Sequence, residues 1–298
     1  MTGSPTGPGA EPRLAHPVTG EPFGSPVPPG TGWPGDPARP DTPVARTPTG
    51  VARQARSVRI LADLDARVSV CRACPRLVAW REEVAHTKRA SYAAEPYWGR
   101  PIPGWGDTEP RVLVVGLAPA ANGGNRTGRI FTGDRSGDWL FASLHRVGLA
   151  ARPDSVHAGD GQRLIGTRMA AAVRCAPPLN KPTVDERDAC APWLDAEVAL
   201  VAPSLRVVVA LGSFGWQAAL RTFRSLGWQV PRPAPRFGHG AEARLTAPPG
   251  TGRAGGRTEV LLLGCYHPSQ QNTFTGTLTE AMLDEVLGRA AATARMPG

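Results

Sequence analysis

Four short runs, residues 111–116, 169–175, 205–211 and 259–265, carry Val, Leu and Ala at successive rather than alternate positions. A strand with apolar side chains on both faces is buried on both faces, as in a parallel sheet covered by helices. Between these runs the apolar period lengthens to that of a helix. Ile60, Leu61, Leu64 and Val68 share one face of a helix predicted over residues 58–70. Further helices are predicted over residues 75–86, 138–147, 183–201, 213–223 and 277–292. Thr183, directly after Pro182 and three residues before Glu186, has the spacing of a capping box and starts the fourth helix of the series. Strand alternating with helix predicts an α/β fold, a three-layer αβα sandwich around a mainly parallel, four-stranded sheet.

Two stretches break the pattern. Residues 1–55 are crowded with Pro and Gly and short of aliphatic side chains. They are expected to form a disordered tail, because they bury too little apolar surface to offset chain entropy. Residues 56–298 then form the folded domain, with a long Arg/Pro/Gly-rich loop over residues 231–257. The N-terminus has neither a basic n-region nor an apolar h-region, and no apolar run reaches the length of a bilayer span. An intracellular, cytoplasmic setting near the nucleoid, with no membrane partner, is expected, and a monomer.

Charge sharpens the choice of partner. The formal net charge is +9, and of 34 basic side chains only Lys88 and Lys181 are lysines, leaving 32 arginines. Codon usage accounts for part of such an arginine excess. The net positive charge itself suits a polyanion, and arginine both forks onto phosphate and stacks on bases.

Five cysteines add a metal question. Cys71 and Cys74 enclose two residues, and Cys175 and Cys190 enclose fourteen about a hundred residues downstream. Two pairs of thiols in a reducing setting suit a tetrahedral metal or iron–sulfur site better than disulfides. Spacing alone leaves zinc and a four-iron cluster both open. Cys265, alone in an apolar strand, reads as a buried thiol.

In an open α/β sheet the ligand sits beyond the carboxyl ends of the strands. After the first run comes a glycine-rich loop from Gly116 through Ala118 and Asn122 to Arg129, then Ile130-Phe131-Thr132-Gly133-Asp134. Glycine lets backbone amides approach a ligand, but the Gly-Lys-Ser/Thr of a P-loop is missing. After the second run comes Arg174-Cys175-Ala176-Pro177-Pro178-Leu179-Asn180-Lys181-Pro182, and after the fourth Tyr266-His267-Pro268-Ser269-Gln270-Gln271-Asn272. Asp134, Asn180 and His267 are therefore expected to converge at one sheet edge, with the cysteine site beside them.

These segments resemble the motifs of the family 5 uracil-DNA glycosylases: Gly-Leu-Ala-Pro with Asn-Arg-Thr-Gly-Arg and Phe-Thr-Gly-Asp, then Ala-Pro-Pro-x-Asn-Lys-Pro, then His-Pro-Ser-x-x-Asn. The resemblance runs from about Cys71 to the C-terminus. It implies hydrolysis of the N-glycosidic bond of a deaminated base in DNA, uracil first, with hypoxanthine or xanthine as further substrates. It also implies a 4Fe-4S cluster on Cys71, Cys74, Cys175 and Cys190, with a structural role.

The resemblance further implies roles for single residues. Such an enzyme extrudes the target nucleotide into a pocket. Phe131 would stack on the flipped base, Asn180 would read its edge, and His267 would donate toward the uracil O2. Gly116, Ala118 and Ser269 complete the substrate site. Asp134, in the matching Phe-Thr-Gly-Asp motif, is the candidate for the catalytic carboxylate, since the loop positions Leu117 and Ala118 are apolar; an N-cap before the next helix is the alternative role, and the two can coexist. With only two lysines there is little basis for a Schiff-base lyase, so a monofunctional hydrolase is expected. Asn122 departs from the family loop, where His is expected. The sister family 4 ranks lower, since its acidic residue in the first loop is missing. A non-catalytic iron–sulfur or zinc protein that binds nucleic acid or senses redox state is the alternative from another class.

Overall fold

The computed structural model describes residues 12–248 and 259–296. Four parallel strands form the middle of one six-stranded sheet: β4 (Val112–Gly116), β5 (Thr167–Ala171), β6 (Val207–Leu211) and β8 (Glu259–Cys265). Two antiparallel strands close its edges, β3 (Trp105–Gly106) beside β5 and β7 (Glu242–Thr246) beside β8, in the order β3-β5-β4-β6-β8-β7. The predicted sheet is thus present with two strands more than expected. The missed β7 lies inside the stretch read as a loop. Its residues alternate, with Ala243 and Leu245 buried and Glu242 and Arg244 exposed, the pattern of an edge strand covered on one face. Residues 249–257 of that stretch lie outside the described residues.

Successive strand residues enter opposite layers. Leu113, Val115, Ala170, Val208, Ala210 and Leu262 pack under α1 (Pro48–Ser57), α2 (Leu61–Ser69), α6 (Val184–Val201) and α7 (Gly212–Ser225). Val112, Val114, Met169, Val207, Val209 and Leu263 pack under α5 (Arg135–Arg146) and α9 (Glu280–Arg295). The helices start where sequence chemistry places them. Pro75 opens α3 (Pro75–Thr87), Asp134 caps α5, Thr279 caps α9, and the reciprocal bonds between Thr183 and Glu186 complete the capping box of α6. The second predicted strand ends at Ala171. Ala172 and Val173 still bond to Gly116 and Leu117 before the chain leaves the sheet toward Cys175.

The expectation of a disordered tail over residues 1–55 is corrected from residue 12 onward. A hairpin of β1 (Leu14–Ala15) and β2 (Pro22–Phe23) leads into a strap that ends in α1. Phe23, Val27 and Trp33 are buried in the α5/α9 layer, and Ala45, Val51 and Ala55 in the opposite one. Pro and Gly do not prevent order here, because the strap borrows an existing core. Side chains of the strap hold it to the domain: Asp36 accepts the fork of Arg100 at 2.8 and 3.0 Å, and the Ser25 hydroxyl accepts from the Tyr97 amide at 2.8 Å. Residues 1–11 lie outside the described residues. Among the described residues no helix is long and apolar enough to cross a membrane.

A buried ion network ties the layers beside the sheet. Arg168 on β5 donates to Glu197 on α6 at 2.5 Å and to Asp65 on α2 at 2.7 and 2.8 Å, and Arg174 also pairs with Glu197. Glu197 is fully buried, so its charge is sustained by the two guanidinium groups.

Candidate active site

A cleft of ≈ 810 Å³ opens where the carboxyl ends of β4, β6 and β8 deliver their loops. Ala118, Phe131, Asp134, Asn180, His267 and Ser269 all line it, brought together from three separate stretches of sequence. Gly116 lies just beneath. A Cβ on Gly116 would stand 2.5 Å from the tip of the Phe131 ring, so only glycine lets that ring lie across the end of β4. Phe131 itself has φ +52, a conformation a bulky residue adopts only under constraint from its surroundings, and its ring centroid is 6.4 Å from that of His267.

The short helix α4 (Gly124–Thr127) and the turn after it carry Asp134 into the cleft as the N-cap of α5. Asp134 Oδ1 accepts from the Gly137 amide at 3.0 Å, while Oδ2 fills the space a side chain on Gly123 would need. Burial raises the Asp134 carboxyl above the usual carboxylate range, and the amides of Gly137 and Ser136 offset only part of that rise. His267 follows β8. Burial pushes its imidazole down to about 4, so at neutral pH it is uncharged and can donate one N–H. Its loop is stapled by Asn272 Nδ2, which donates to the His267 carbonyl at 2.8 Å, and by Ser269, which caps α8 (Gln270–Phe274). Asn180 stands exposed at the rim, and it and Leu179 both have left-handed backbone, at φ +56 and +53.

Several lining residues escape a reading by motif. Leu211 ends β6, Gly212, Ser213 and Phe214 follow it, and all four belong to the site by the carboxyl-edge rule alone. Phe237, from the stretch read as a loop, and Tyr266 form part of the wall, and no local signal marks Phe237. Asn122 does not line the cleft; its Oδ1 accepts from the Tyr97 hydroxyl at 2.9 Å.

Cys71, Cys74, Cys175 and Cys190 line a second, small cavity between α3, α6 and the end of β5. Arg81 Nη1 donates to Cys175 Sγ at 2.9 Å, and the Arg174 amide donates to Cys190 Sγ at 3.3 Å. Burial first, and then the neighbouring sulfurs, push the Cys74 thiol up to about 12 and raise Cys71 and Cys190 as well. Arg81 and Arg174 are each 1 % exposed, yet Arg81 Nε and Arg174 Nε and Nη1 find no hydrogen-bond partner. Buried N–H groups are rarely left so. Among the described residues no three His, Cys, Asp or Glu side chains are grouped closely enough to hold a single metal ion. Cys265 is buried in β8, as expected of a strand thiol.

Residues 103–290 match the model of the uracil DNA glycosylase superfamily. A type-5 uracil-DNA glycosylase of Mycobacterium tuberculosis is 56 % identical over 275 residues, 92 % of this chain and 97 % of the relative. This chain belongs to the type-5 uracil-DNA glycosylases. A second type-5 enzyme, from Thermus thermophilus, is 51 % identical over 223 residues, covering 75 % of this chain and 93 % of its own length. A type-4 uracil-DNA glycosylase of Pyrobaculum aerophilum is more distant, 32 % identical over 120 residues, 40 % of this chain and 53 % of the relative. That order agrees with the apolar Leu117 and Ala118 in the first loop of this glycosylase.

Proposed function

We propose that this chain removes uracil from DNA by hydrolysing the N-glycosidic bond, leaving an abasic deoxyribose. The observation that carries the reading is one cleft holding a half-buried carboxylate, a neutral imidazole, an aromatic ring and an exposed amide at the carboxyl edge of the sheet. A base can reach such a cleft only when extruded from the helix. Phe131 supplies the face on which the base lies, and Asn180, with both donor and acceptor, suits the imide edge of uracil. As the bond from C1′ to N1 breaks, its electron pair moves into the base and gathers at O2. A donor aimed there stabilises that charge, and a neutral His267 donates without first forming an ion pair. Asp134 orients water toward C1′, accepts its proton and offsets positive charge on the sugar. Hypoxanthine and xanthine present a similar amide edge and are proposed as further substrates.

Neither Lys88 nor Lys181 lines the cleft, so the reaction stops at the abasic site. The assay is incubation with an oligonucleotide carrying one uracil, with and without later alkali. Strand breaks only after alkali are expected. Breaks without alkali would assign a lyase, and no abasic sites with any of the three bases would overturn the reading.

Cys71, Cys74, Cys175 and Cys190 would hold a four-iron, four-sulfur cluster. The support is their convergence on one cavity and the unpaired guanidinium N–H groups around it, which suit an anionic cluster better than four neutral thiols. When bound, the cluster ties α3 to the loop that carries Asn180, and it takes part in no bond cleavage. Cys74→Ala is expected to lower iron content and the visible absorbance together with the melting temperature. A variant that keeps the wild-type melting temperature without iron would refute the structural role.

A further inference from the structure

A smaller cavity, of ≈ 260 Å³, adjoins the catalytic cleft and shares Leu117 and Phe214 with it. It lies between α6 and α7, where the chain leaves β4 and β5, on the same carboxyl edge of the sheet. Its floor is apolar, built from Ala172, Ala191, Leu194 and Ala218. Its rim carries Arg187, Asp188 and Arg221. Arg221 pairs with Asp188 at 2.5 Å, so the rim stays net positive through Arg187, whose guanidinium lies 5.5 Å from the centre of the Phe214 ring.

The apolar side chains along this edge are held in water. Val184 and Phe214, both lining the cavity, are 59 % and 46 % exposed, and Leu179, next to Asn180 in the chain, is 84 % exposed. Large apolar groups clustered in the open beside a site mark a surface made to be covered. An exposed aromatic ring with an arginine beside it, over an apolar floor, accepts the face of a base and the charge of its phosphate. The cavity is smaller than a pocket for a drug-sized ligand and suits a single planar ring.

We propose that this groove binds an unpaired nucleobase of the damaged strand, adjacent to the nucleotide extruded into the catalytic cleft. The proposal rests on the glycosylase reading of that cleft. A base inside a duplex is stacked on both sides and paired, so only single-stranded or locally opened DNA can fill the groove. The groove therefore favours single-stranded over duplex substrate.

The test compares single-stranded and duplex oligonucleotides, each with one tetrahydrofuran abasic analogue, by fluorescence anisotropy over a range of salt. Ala191→Phe fills the floor of the groove. It is expected to weaken single-strand binding by about 5- to 150-fold, the range measured for loss of one stacked base, and to leave duplex binding unchanged. Arg187→Gln, on an exposed helix face, is expected to reduce the single-strand salt slope by about 0.7. Wild-type single-strand affinity in Ala191→Phe with a wild-type slope in Arg187→Gln would overturn the assignment. So would equal losses on single strand and duplex, which mark general electrostatic attraction. Release of uracil by the wild-type protein, assayed alongside, separates the two questions: its absence counts against the glycosylase reading, and its presence with unchanged binding counts against the groove alone.

Discussion

On Asp134 two tasks fall on one side chain. Its Oδ1 caps α5 through the Gly137 amide, and its other oxygen is pressed against Gly123 at the cleft. Asparagine keeps an accepting oxygen for the cap but carries no charge. Asp134→Asn is therefore expected to change stability by less than about 1 kcal/mol and to slow single-turnover uracil release by about 100- to 10,000-fold. A thermal melt and a quench-flow time course separate the two effects. Loss of stability and of activity in proportion would show the carboxylate to be a cap and nothing more. Because burial raises the Asp134 carboxyl, the acid limb of the rate should lie above the usual carboxylate range. His267, held down to about 4, is already neutral at neutral pH and keeps its donor there.

The N-terminal strap is the element that composition misjudges. Trp33 lies against Gly128, in the turn that leads from α4 to Phe131 and Asp134, and its ring is 6.0 Å from that of Trp98. Trp98 and Gly99 in turn bond to the carbonyls of Arg126 and Asn125 at 3.0 Å, and Val27 bonds to the Trp98 carbonyl. The strap thus braces the catalytic loop from behind. Trp33→Ala is expected to cost about 3–5 kcal/mol of stability. Displacement of the loop should also slow base release by about 10- to 100-fold at saturating DNA. Trp33→Phe should recover most of the rate. Full activity of Trp33→Ala at a temperature where it remains folded would show that the strap holds the fold without placing the loop.

Across the whole molecule, desolvated histidines add to the response to acid alongside the paired carboxylates Asp160, Glu186 and Asp284, which their partners hold low. Burial holds His16 and His267 down to about 4 and His157 down to about 3, with His16, Arg126 and Arg129 adding to the effect on His157. The unfolded chain binds these protons near 6.5, so it takes them up before the folded protein does. Stability is then full above about pH 6.5 and is lost as pH falls toward about 4 and 3. His16 and His157 lie 4.3 Å apart between the strap and the domain, and both ring nitrogens of His157 lack partners. Melting temperature is expected to fall steeply over that window in the wild type and less steeply in His157→Met. Parallel slopes for the two proteins would rule out His157 as a main contributor.

Local pattern was enough for whatever depends on local chemistry. Strands apolar on both faces declared a covered parallel sheet, and Thr183 with Glu186 declared the start of α6. The carboxyl-edge rule together with three motifs picked out Phe131, Asp134, Asn180 and His267, because each motif is short and its residues act where their strand ends. Tertiary structure alone decided what depends on partners distant in sequence. The strap is ordered because Trp33 and Phe23 find a core that their own neighbours cannot supply. Strand β7 forms because β8 offers an open edge. Phe237 and Phe214 join one wall, and α6 and α7 enclose a groove, because the sheet fixes where each element that follows a strand is packed. Burial is likewise a property of the packed chain, and it is burial that raises Asp134 and leaves His267 neutral.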